Sequence, residues 1–215
     1  MRLILLASMW SRTRRLAVEL FNNTSGMGAT EFAFIAPIMM AFFFGMVEFS
    51  SGVAVDRKVT LVVRTLSDLT SQSASVTSND LKNFFAASSG ILTPYDVAPV
   101  RPIISELYVN ASKVAKVQWS VGATVALVDG APVATFLATP PHAAGTTVTI
   151  PSALAIAGTY LIWSEVSYQY VPAIGYVMAK AGVNLKDATF TRPRQTQCVD
   201  YPLPVAPAVA CTPLP

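Results

Sequence analysis

Glu31 stands one residue before Phe32, at the head of sixteen consecutive residues without a charge, Phe32 to Val47, which end on Glu48. An ionised carboxylate at the centre of a membrane helix costs about 2.5 to 3.5 kcal/mol, and less near the interface. Glu31 therefore calls for a cationic partner or an interfacial position. Other chemistry is sparse. The one histidine, His142, falls in the loop Thr139-Pro140-Pro141-His142-Ala143-Ala144-Gly145, where it is expected to be solvent-exposed. Asp80, Asp96, Glu106, Asp129 and Glu165 are scattered and suggest no acid/base pair. The glycines Gly26 and Gly28 lack the third glycine and the preceding strand of a dinucleotide fingerprint, and no P-loop, nucleophile elbow or zinc-ligand spacing occurs. The sequence thus predicts no catalytic residue, no cofactor and no metal site, and it does not read as an enzyme.

Cys198 and Cys211 are separated by twelve residues that include Pro202, Pro204 and Pro207. In an oxidising compartment a disulfide closing this loop would stabilise the end of the chain by roughly 3 kcal/mol. The alternative is two unpaired thiols in a proline-rich tail.

Composition places these residues near a membrane. Charged residues make up 13% of the chain, about half of the roughly 25% usual in soluble domains. Arg2, Arg12, Arg14 and Arg15 against Glu19 account for the whole net charge of +3 before Gly26. The rest of the chain is neutral, which argues against nucleic-acid binding. Residues 1–10 contain a short apolar run, but arginines follow where a secretory cleavage site would stand, and Met9 is a second candidate start.

From Glu31 to Glu48 a helix covers about 26 Å, near the ~30 Å hydrocarbon thickness, so the two carboxylates are expected at opposite interfaces. Five phenylalanines and three methionines between them leave no polar side. Pro37 would kink a soluble helix but is accommodated in a membrane. The basic residues flanking the span give a weak preference for a cytoplasmic N-terminus.

Val55, Val59, Val62, Leu66 and Leu69 recur at steps of four and three, so the helix continues as an amphipathic segment to about Thr70. A short helix is predicted over about Asn79–Ala87, capped by Thr77 or Ser78, with Gly90 past its end. Strands are then expected at Ile103–Val109, around Val117–Val121, across an Asp129-Gly130 hairpin between Ala123–Leu127 and Val133–Phe136, and at Thr146–Ile150, Tyr160–Tyr170 and Asp187–Arg192. Gly175–Ala181 reads as a short helical turn. The reading is α+β, a long N-terminal helix followed by a small antiparallel sheet. Its parts are a basic leader (1–26), a transmembrane helix (27–49), the amphipathic extension and short helix (50–90), the sheet domain (91–197) and the proline-rich tail (198–215). Trp119 and the aromatics of Tyr160–Tyr170 are expected in the core of the sheet.

The stretch Gly26-Met27-Gly28-Ala29-Thr30-Glu31-Phe32-Ala33-Phe34, with Pro37, Gly45 and Glu48-Phe49, resembles the TadE-like family of tight-adherence (Flp) pilus assembly proteins. Towards the C-terminus, Glu165 to Pro172 and Arg192-Pro193-Arg194 also look like the family's ending. Thr30 stands where the family more often has Val. The resemblance implies a pilin-like fold and a pseudopilin cut after Gly26 by a prepilin peptidase, leaving Met27 as the mature N-terminus and Glu31 as the fifth residue. Glu31 and Phe32 would then serve assembly, with Glu31 neutralising the new amine of a neighbouring subunit. The implied partners are other pilus subunits, the inner-membrane assembly platform, the peptidase and membrane lipid. The implied location is the bacterial inner membrane, crossed once, with the N-terminus cytoplasmic and the sheet domain periplasmic. A ligand-binding or adhesive module on a simple anchor is the alternative.

Overall fold

The computed structural model describes Glu19, residues 26–172 and residues 182–201. The chain divides into two compact units, Met1–Val47 and Glu48–Pro215. Helix α1 spans Met27–Ser71, with Pro37 inside it. Its residues from Val55 onward form the expected seam: Val55, Val59, Val62 and Leu66 are buried, joined by Val63, while Leu69 is half-buried. The helix stops where hydroxyl side chains compete for its last carbonyls. Thr70 Oγ1 donates to Leu66 O at 2.9 Å and Ser71 Oγ to Asp68 O at 2.9 Å, while the backbone N–H of Arg194 takes Ser71 O at 2.8 Å.

Helix α2, Ser78–Ser89, is longer at both ends than the pattern suggested. Thr77 is its N-cap, in a reciprocal box with Asp80. The Asp80 N–H donates to Thr77 Oγ1 at 3.2 Å and the Thr77 N–H to Asp80 Oδ2 at 2.9 Å. Leu81 and Phe85, one turn apart, carry the buried side of α2.

The sheet comprises β1 Val100–Val109, β2 Ala115–Val128, β3 Ala131–Phe136, β4 Thr147–Val148, β5 Thr159–Tyr170 and β6 Val183–Thr191. Its order is β3-β2-β1-β5-β6, with β4 beside β2, and each pair is antiparallel. The α+β class is as the sequence indicates. Three details differ. β2 is one strand of fourteen residues that pairs with β1 up to Gly122 and with β3 from Ala123. β4 keeps only two residues of the expected Thr146–Ile150 strand. The last strand begins at Val183 rather than Asp187. The expected turn at Gly175–Ala181 lies outside the described residues.

One face of the sheet receives α1 and α2. Ile104, Trp119, Val121, Ile162, Val166, Tyr168 and Tyr170 form one core cluster with the α1 seam, Leu81 and Phe85. Of the aromatics expected in the core, Trp119, Tyr168 and Tyr170 are there, at 2%, 4% and 6% exposure, whereas Tyr160 is buried outside this cluster and Trp163 packs, partly buried, on the opposite face. A register shift in the β1–β2 ladder at Glu106/Leu107 makes this possible, because one extra β2 residue lets Val117 serve the opposite face while Trp119 turns to the core. Leu107, Val109, Ala115, Val117 and Leu161 make a smaller cluster on that opposite, outer face.

Candidate membrane and assembly site

Gly26 is exposed, and a Cβ placed there would meet nothing within 4 Å. Met27 opens α1 and is 58% exposed, and Thr30 Oγ1 closes the first turn by donating to Met27 O at 2.8 Å. Glu31 is exposed and follows Met27 by four residues, so both lie on one face of the helix. At this end the unsatisfied N–H groups favour a carboxylate. Phe32 is 68% exposed. Phe34, Met40, Phe42, Phe43 and Met46 are exposed as well, on all sides of the helix. Only a lipid environment or a bundle of similar helices makes such a surface favourable. The helix is long and apolar enough to cross a membrane, as a single-pass anchor near the N-terminus requires.

Residues 26–66 match the TadE-like protein family. No curated protein and no solved structure gives a significant match. The TadE-like segment runs from Gly26, through the exposed apolar turns, to Leu66 at the end of the buried valine seam. It therefore holds two surfaces on one helix, apolar all round at its start and one-sided at its end. The association with tight-adherence pilus proteins rests on this segment, and the sheet lies beyond it.

Glu48, which ends the charge-free run, is buried within the second unit, 3% exposed. Half a turn to a turn later, Ser51 shares a hydrogen bond with Tyr170 at the end of β5. Lys58 holds the next level: its Nζ donates to Ile91 O at 2.8 Å and to Thr93 O at 2.6 Å, beside the Tyr95 ring. Ser67 Oγ donates to Thr191 Oγ1 at 2.7 Å, and Arg194 pairs with Asp68 at 2.6 Å. Arg194, from the C-terminal motif, thereby fastens the sheet to the TadE-like helix.

The outer face corrects the reading of His142. The residue is half-buried, its Nε2 lies 2.6 Å from Glu165 Oε2, and its ring stacks on Trp163 at 4.5 Å. Trp163 in turn stacks on Phe190. Glu165, read as an isolated carboxylate, is the histidine's partner. The spacing of 23 residues hides the pair, and only the path of the loop after β3 brings the two together. The loop can cross the sheet because Gly122 lets it approach: a Cβ there would lie 2.6 Å from Pro141 Cγ and 2.9 Å from Leu137 Cδ1. Gly122→Val should therefore lift the loop, separate His142 from Glu165 and destabilise the fold by about 1–3 kcal/mol. Urea unfolding of the full chain in detergent measures this, and an unchanged midpoint would refute the wedge.

Glu106 is the second buried group that sequence inspection missed. It is 3% exposed, accepts from Val199 N–H at 2.6 Å and from Trp119 Nε1 at 3.0 Å, and faces Asp200. Burial pushes its carboxyl up to about 8, against the two donors that favour the charged form. Trp119 Nε1 also reaches Val199 O at 3.0 Å, and Tyr201 lies tilted against its ring. Asp200 O accepts from Val76 N–H at 2.9 Å. The segment Cys198–Tyr201 is thus clipped to both the sheet and the linker after α1. Cys198 is buried and not a free thiol. Cys211, its expected partner, lies outside the described residues.

Proposed function

We propose that the protein is a non-enzymatic, membrane-anchored pseudopilin-like component in assembly of a tight-adherence pilus, cut after Gly26, with its sheet domain in the periplasm. The observation that carries this reading is the TadE-like segment itself, an exposed Gly26 five residues before Glu31 on a helix that is apolar all round as far as Val47. Cleavage frees the amine of Met27, and Glu31 is the only carboxylate in the apolar part of the helix able to answer the same amine on an adjacent copy. In low dielectric an opposite charge at close range is strongly favoured, so a subunit beside others is more stable than one alone. Partner subunits, the assembly platform and the peptidase follow from the same reading, as does a bridge between Cys198 and Cys211 in the oxidising periplasm. N-terminal sequencing of the protein from cells with and without the prepilin peptidase tests it. A chain starting at Met27 only when the peptidase is present is the expected result; an identical start in both strains would remove processing from the proposal.

A binding module on the same anchor is the second reading. Its support is a cleft of about 360 Å³ lined by Arg101, Glu165, Ser167 and Lys186, beside the Trp163 stack.

A further inference from the structure

The contacts of the second unit give it two distinct ends. At one end Ser51 meets Tyr170, and Tyr168 pairs with Val100. At the other, Ser67 meets Thr191, which pairs with Ile162, and Tyr201 meets Trp119 and Ser78. Helix α2 runs from the second end, at Ser78, towards the first, at Gly90, where Lys58 takes the carbonyl of Ile91. The ribbon formed by β2 after Gly122 and by β3 lies antiparallel to α2, with Phe136 against Phe85 and Pro132 3.9 Å from the Cβ position of Gly90. The turn Asp129-Gly130 therefore projects past Gly90, towards the end that holds Glu48.

That tip is unusually apolar for a hairpin in water. Leu127 is 56% exposed, Val128 51% and Val133 45%, and Asp129 is its single charge. Val171, just past the end of β5, is 59% exposed at the same end. Glu48 is one peptide bond from Val47, the last residue of the apolar run. Aliphatic side chains on a wet, projecting turn gain most where water gives way to acyl chains, and a carboxylate beside them is tolerated at the headgroup level.

We propose that the β2–β3 tip rests in the headgroup boundary of the same bilayer that residues 27–47 cross, with Leu127, Val128 and Val133 as its lipid contacts. This rests on the reading of residues 27–47 as a membrane span. The tip gives the sheet domain a second foothold at the bilayer.

Tryptophan variants of the purified full chain in phosphatidylcholine vesicles, with and without bromine near the carbonyl end of the acyl chains, test it. Each variant is compared with the parent protein. Phe42→Trp reports the span, Val128→Trp the tip, and Ser112→Trp the turn between β1 and β2 at the opposite end of the sheet. The expected result is bromine quenching of the added emission for Phe42→Trp and Val128→Trp, several-fold greater than for Ser112→Trp. Quenching of Phe42→Trp without Val128→Trp overturns the tip contact and leaves the anchor standing. No quenching at either position overturns both. If Val128→Trp is quenched, Leu127→Asp combined with Val133→Asp should abolish that quenching while circular dichroism stays unchanged; persistent quenching would also overturn the assignment.

Discussion

Glu31→Ala should leave the protein in the membrane while pilus yield falls at least about tenfold, the equivalent of losing ~1.4 kcal/mol of assembly free energy per subunit. Removing the charge makes the apolar helix easier to insert, so carbonate-resistant membrane association should persist or rise. On the proposed pairing, what disappears is the partner for the Met27 amine, and each added subunit would carry a cation without its counter-charge. Glu31→Gln keeps the size and a hydrogen-bonding oxygen but not the charge. It should resemble alanine if charge is the essential property and the parent if a hydrogen bond suffices. Filament counts by electron microscopy, alongside fractionation of the same cells, separate assembly from insertion. Parental filament numbers in Glu31→Ala cells would sink the pairing.

The second large effect concerns pH. Glu106 holds its proton up to about pH 8 in the folded protein, against an ordinary value of 4.5. Between these values the folded state binds the proton more tightly than the unfolded state, so stability is fully present below pH 4.5 and declines as pH rises through the folded value. The interval corresponds to a loss on the order of 5 kcal/mol across the window. The segment most exposed to this loss is Cys198–Tyr201, whose Val199 N–H and carbonyl are held by Glu106 and Trp119. Urea midpoints of the full chain in detergent at pH 5 and pH 8.5 should therefore differ, and Glu106→Gln should flatten the difference. His142→Gln, which removes the other half-buried carboxylate contact, to Glu165, is the control. If His142→Gln removes the pH dependence and Glu106→Gln does not, the assignment to Glu106 is wrong.

Local signals were legible where the chain's own neighbours decide the structure. The valine seam of α1, the Thr77 cap and the Asp129-Gly130 turn depend on residues a few positions apart, and each appears where the pattern places it. Pro132 does not break the hairpin because β3 lies at the edge of the sheet. The interior of the site was less legible. His142 and Glu165 meet through a loop that spans the sheet, and Glu106 meets Val199 across 93 positions. Glu48 looked like the mirror of Glu31 because sequence shows only where charges interrupt an apolar run. It does not show that one end of the run lies among exposed apolar turns and the other enters a protein core. The extra residue in β2 has no pattern of its own, yet it is what turns Trp119 toward Glu106.

The fastening of α1 to the sheet has a mechanical meaning. A pull applied along the helix at Glu48 runs nearly along the strands, since Ser51 is held at one end of β5 and Ser67 near the other. The attachments at Ser51, Lys58, Ser67, Asp68 and Ser71 are thus stretched sideways and together, not opened one after another like a zip. Tension entering at Glu48 is shared among all five, and the sheet resists being peeled from the helix that crosses it.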